Sequence, residues 1–429
     1  MPRNNQFHPS REPLRNHPEL ELRQSQVTGP FKFLNPTRAP YSQRHLEEKS
    51  GHGGPEESGR LPLDQQDNRV TEDRQRATDI GFLWRSRDNR KGRHALRFAD
   101  RRQATAKYNV PVHTSSLRAT GQGIIRMLTV CPIWDVSYLV AVIFTLGSVV
   151  WVINAFFVWL PLVKPDTEFA GEIPIGGGTT ALIGSTIFEI GSIFLMFEAV
   201  NENCSGCFGW ALKRALPADH EAHEAGISLE PDLDECRHHH PNRRILVGKS
   251  HPSAEAQSED PDMAKTSGNP WQWFPSVADL RTHYLHELGF LACLFQFLGA
   301  TIFWISGFTA LPGIQDHLSQ VLLNCIFWLP QIIGGSGFII SGTLFMLETQ
   351  RKWYKPAFSV LGWHVGFWNL VGAIGFTLCG ALGPAYGNSG AEYEASLATF
   401  WGSWAFLIGS LIQWYESLDK FPVEVKGTT

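Results

Sequence analysis

Cys204 and Cys207 stand two residues apart after an apolar segment, and His220 and His223 follow with three-residue spacing. Cys-x2-Cys followed by His-x2-His offers four ligands that could close a tetrahedral Zn²⁺ site. The second spacing is short, however, and the surrounding chain is rich in Pro, Ser, Glu and Asp, so the expectation is incidental residues and no bound metal or other cofactor. His286 and His364 fall near matching ends of two apolar segments and could ligate a haem between helices. A two-haem arrangement needs further His at the other end, and the apolar segments hold none. Glu189 interrupts the apolar run GSTIFEIGSIFLMFE, residues 184 to 198. A carboxylate at that depth in a membrane faces a neighbouring helix or a polar path, which makes it a candidate for ion or proton binding or for fixing helix register. No Ser-His-Asp pattern, phosphate loop or pair of intramembrane carboxylates is legible, so the chain reads as non-enzymatic.

The elements that must position these groups come in two compositions set end to end. The first 130 residues hold 23 Lys and Arg against 14 Asp and Glu, a net of +9, while the remainder holds 14 against 27. The arm is poor in large apolar residues and has no helical or alternating period, which predicts disorder over residues 1 to about 80 and a basic arm to 130. Its densest part, Arg85 to Arg102, carries eight basic residues against two Asp. Beside a membrane such a segment attracts anionic headgroups at about 1 kcal/mol per basic residue. No nucleic-acid-binding module accompanies it. No apolar signal region lies near Met1, so insertion is expected through an internal helix.

From Val136 onward six segments, about 136–162, 179–200, 285–310, 323–347, 361–383 and 396–415, reach the roughly 20 apolar residues that span a bilayer. Six such segments predict an all-α, polytopic bundle of three hairpins: 131–201, 284–348 and 349–416, with a long loop at 202–283 and a tail at 417–429. The loops after odd spans hold a single basic residue, Lys164, whereas the alternate connections hold Lys213, Arg214, Arg281, Arg351, Lys352 and Lys355. The bias places both termini in the cytoplasm, with the lipid bilayer as the partner.

The hairpins repeat. Gly184 and Gly191, Gly335 and Gly342, and Gly402 and Gly409 recur seven residues apart in the even spans, each run ending near an acid: Glu198, Glu348 or Glu416. The odd spans carry Gly147, Gly299 and Gly372, preceded ten residues earlier by Ser137-Tyr138, Gly289-Phe290 and Gly362-Trp363. Four residues after the first Gly come Trp151, Phe188, Phe303, Ile339, Phe376 and Phe406. Small residues seven apart form one helix face, so these glycines read as packing seams. A substrate path lined by Asn154, Glu189, Gln296, Gln331 and Asn369 is the competing reading.

The stretches LGFLACLFQFLGATIFWISGFTALPGI (288–314), GGSGFIISGTLFMLE (334–348) and GWHVGFWNLVGAIGFTLCGALG (362–383) resemble a family of uncharacterised fungal integral membrane proteins. The hairpins are also similar in style to the two-helix YrhK-like membrane domain. The resemblance spans about 130–420 and implies a membrane bundle with no assigned activity. The reading is therefore a multi-pass, non-enzymatic membrane protein, with a transporter or channel for a small solute or ion as the alternative and a haem or metal redox protein as the third.

Overall fold

The computed structural model describes residues 6–7, 12–13, 20–43, 80–93, 95–98, 114–202 and 271–425. Cys204, Cys207, His220 and His223 lie outside the described residues, as does most of the 202–283 loop.

The protein is an all-α, multi-pass membrane bundle. Six helical stretches are long and apolar enough to cross a bilayer: Val136–Val163, Glu172–Val200, Leu288–Thr309, Gln320–Thr349, Leu361–Ala385 and Ser389–Leu418. Their regular α-helical parts are α3 (Val136–Val163), α4 (Gly178–Val200), α5 (Leu288–Thr309), α6 (Leu329–Thr349), α7 (Leu361–Leu382) and α8 (Ser389–Leu418). Each packs on the next in the chain, and α8 closes onto α3, giving a ring of six in sequence order. Short connections enforce antiparallel neighbours everywhere except between α4 and α5, which the long loop joins, and glycines allow the close approach that lipid cannot drive by hydrophobicity. At Gly299 an added Cβ would lie 2.8 Å from the Gly334 carbonyl, and at Gly342 it would lie 2.9 Å from the Leu370 nitrogen.

The arm contains more regular structure than its composition leads one to expect. Strands β1 (Leu20–Leu22), β2 (Arg38–Gln43), β3 (Ile80–Arg85) and β4 (Ala95–Phe98) form an antiparallel meander, and β5 (Val423–Val425) from the C-terminal tail adds in parallel to β4. One face of this sheet is apolar, with Ala39, Tyr41, Phe82, Trp84, Leu96 and Val423 all buried. The four arm strands are only three to six residues long with polar stretches between them, and the fifth comes from the far end of the chain, so a local window does not reveal the sheet. Arm and tail meet at one end of the bundle, called the arm end below.

Between β3 and β4 lies a one-and-a-half-turn helix, α1 (Ser86–Arg90). Its end is a Schellman turn: Arg93 N–H reaches the Asp88 carbonyl at 2.8 Å and Gly92 N–H the Asn89 carbonyl at 3.3 Å. Gly92 has φ of 59°, a left-handed conformation that a glycine adopts at least cost. Just before the first span, α2 (Leu117–Thr129) is capped by Ser116, whose hydroxyl accepts from Ala119 N–H at 3.2 Å. It leaves Leu117, Ile124, Ile125 and Leu128 exposed beside Arg118 and Arg126, the composition of a helix lying in a membrane interface.

Candidate functional site: the arm end of the bundle

Helix α1 and the turn that ends it press into the arm end of the ring and deliver four cations to it. Arg87, Arg90, Lys91 and Arg93 are all buried, as are the four acids around them, Asp88, Glu198, Glu348 and Glu416. The three glutamates are the acids that close the even spans, one from each hairpin. Arg87 forks onto Glu416, Nε to Oε1 at 3.1 Å and Nη2 to Oε2 at 2.5 Å. Arg90 Nη2 donates to Glu348 Oε2 at 2.8 Å, and Ser86 Oγ donates to Oε1 of the same carboxylate at 2.9 Å. Lys91 Nζ lies 3.5 Å from Glu198 Oε1. Arg93 Nη1 bridges Asp88 and Glu416, each at 3.0 Å.

The small residues that open the odd spans make room for this segment. A Cβ on Gly289 would collide with Glu348 Oε1, and one on Gly362 would collide with the Arg87 side chain. The second half of the small-aromatic pairs, Tyr138, Phe290 and Trp363, is buried around the same layer.

Burial opposes charge on all four cations, but the outcome differs. For Arg87 burial acts to lower the pKa, and Glu416 outweighs it and holds the group above its ordinary value. Arg90 behaves alike through Glu348, and Arg93 through Asp88 and Glu416. At Lys91 burial wins over Glu198 and the pKa falls. Lys91 Nζ and both Glu198 oxygens make no hydrogen bond among the described residues, so this third pair is the weakest of the set.

Two layers of aromatic rings fill the middle of the ring of helices. From the odd spans, Trp151, Phe303 and Phe376 form a triangle with centroids 4.8 to 5.6 Å apart. From the even spans, Phe188 and Phe338 each contact Phe406, at 5.5 and 6.3 Å. Phe338 takes the place that counting from Gly335 gives to Ile339. The repeat unit in α6 thus begins at Gly334, which is 14 residues before Glu348, the spacing of Gly184 to Glu198 and of Gly402 to Glu416. A double glycine at 334–335 hides this one-residue offset.

Between the aromatic layers and α1 lies a cavity of about 20 Å³, room for about one water. Its polar lining includes Lys91, Glu198, Gln296, Asn369, Ser410 and Gln413. Of the five polar residues that a path would have needed, only Gln296 and Asn369 reach this cavity. Asn154 donates to the Gly177 carbonyl at 2.6 Å, and Gln331 to the Phe376 carbonyl at 3.3 Å. Glu189 accepts from the Thr301 hydroxyl of the neighbouring helix at 3.0 Å, on the outer side of the α4–α5 contact. His364 Nε2 meets the Phe358 carbonyl at 2.7 Å, and the His286 carbonyl accepts from Asn35 N–H at 2.9 Å.

The basic segment is therefore split. Arg87, Arg90, Lys91 and Arg93 face buried acids, and Arg85 pairs with Glu424 of β5 at 2.5 Å. Sequence reasoning noted the acids and the basic cluster separately; the recurrence of one Glu per hairpin at a fixed distance from the first glycine was the signal that could have joined them. No family model matches this chain, nor does any curated protein or solved structure.

Proposed function

We propose that this protein is a non-enzymatic membrane gate for small cations, held closed by its own arm. The supporting observation is the pairing of Glu198, Glu348 and Glu416, one acid per hairpin, with cations that belong to the arm and not to the bundle. A buried ion pair gains little over an apolar pair of the same size, so its use at a repeated position favours a removable contact over simple packing. With α1 withdrawn, the arm end would present three carboxylates and the amides of Gln296, Asn369 and Gln413, a lining that suits a cation. Opening also requires the two aromatic layers to part. The excess of basic residues in alternate loops orients the arm end to the cytoplasm.

Cation leakage from proteoliposomes tests this reading. The parent should be tight to K⁺, and Arg87→Ala/Arg90→Ala should leak at least tenfold faster. If that variant elutes and melts as a folded protein yet stays as tight as the parent, the gate is refuted. A static scaffold is then the remaining reading, favoured by the unbroken ring contacts among Trp151, Phe303 and Phe376.

A further inference from the structure

Outside the gate, the junction between α4 and α5 gathers one imidazole and two carboxylates from three positions: Glu202 just after α4, His283 in the turn before α5, and Glu287 at the N-cap of α5. One ligand atom from each lies within 4.8 Å of the other two. His283 Nε2 stands 2.7 Å from Glu202 Oε1 and 4.0 Å from Glu287 Oε1. Glu202 and Glu287 are both more than nine-tenths buried. Among the described residues no Lys or Arg comes within ion-pair distance of Glu287.

We propose that Glu202, His283 and Glu287 bind a first-row divalent cation of the Zn²⁺ type. Around a tetrahedral ion with bonds of about 2.1 Å, ligand atoms sit roughly 3.4 Å apart. The two His–Glu distances straddle that value, so shifts of well under 1 Å complete three bonds and leave a fourth position for water. A set of one nitrogen and two carboxylates favours Zn²⁺ over Mg²⁺, which prefers an all-oxygen octahedron.

The surroundings hold the ligands in place. Tyr284 donates its hydroxyl to the Val200 carbonyl at 3.0 Å, and Asn201 exchanges two bonds of 2.8 Å with the Gln272 backbone, so the α4 end and the segment before α5 form one unit. Asn35 from the arm sits at His283 Nδ1, 3.5 Å away. Turning its amide would let its oxygen accept from a Nδ1–H, the usual outer partner of a metal-bound imidazole. The ion would thus tie two hairpins to the arm.

Full-length protein in detergent, stripped with chelator and dialysed against Zn²⁺, provides the test. Metal content by mass spectrometry should be one equivalent higher in the parent than in His283→Gln or Glu287→Gln, whatever the Cys and His of the 202–283 loop bind in all three. Zn²⁺ should also raise the melting temperature of the parent and not of Glu287→Gln, which keeps the shape of the side chain. Equal Zn²⁺ content in the parent and both variants, with all three showing the parent's helical signal, would overturn the site.

Discussion

Arg87 and Glu416 lie 329 residues apart in the chain and form a two-bonded fork, with both side chains buried. The guanidinium and carboxylate match in shape, which fixes the depth and rotation of α1 in the mouth of the bundle. Removing Arg87 breaks both bonds of the fork and leaves Glu416 with Arg93 in a dry site. Arg87→Ala should therefore cost about 1.5–3 kcal/mol in thermal unfolding. Arg87→Met combined with Glu416→Met should recover more than half of that loss, since an apolar pair fills the space without stranding a charge.

The link between arm and tail should depend on pH. Burial acts to raise the Glu424 carboxyl, but Arg85 outweighs it and holds the pKa below the ordinary 4.5. A carboxyl depressed by folding adds stability above its ordinary pKa, and that stability is lost as pH falls through the folded value. The melting temperature of the parent should therefore drop on acidification below about pH 5, and that of Glu424→Gln should drop less. Scans of both proteins from pH 7 to 3 measure the difference.

Glycine spacing makes a separate prediction. At Gly334 an added Cβ would meet the Gly299 carbonyl and the Phe303 Cβ, each at 2.7 Å, with backbone that cannot yield. Gly334→Leu should lower stability by at least about 1–3 kcal/mol, the usual cost of overpacking. Ile333→Ala next to it, half exposed on the lipid side, should change stability by less than about 0.5 kcal/mol.

Glu189 should contribute little to folding. Its one bond, from Thr301, crosses between helices, and its second oxygen has no hydrogen-bond partner among the described residues. Such bonds in membranes average about 0.6 kcal/mol, so Glu189→Leu should shift stability by less than about 1 kcal/mol. A loss of several kcal/mol in detergent unfolding would show that Glu189 anchors the α4–α5 contact more firmly than this bond accounts for.

The six spans are legible along the chain, because length and apolarity are local properties that a bilayer enforces on any membrane helix. The hairpin repeat was equally legible, since Gly147, Gly299 and Gly372 keep their distance to Trp151, Phe303 and Phe376 along the chain. Tertiary structure alone decided which groups meet. Glu198, Glu348 and Glu416 were visible as span-ending acids, and Arg87, Arg90 and Lys91 as a basic cluster, but the fold brings them together from across hundreds of residues. The sheet shows the same limit: β4 is completed by Val423–Val425, and no local pattern names a partner so far away. Long-range pairing depends on the whole chain closing into a ring, and only the folded protein supplies that geometry.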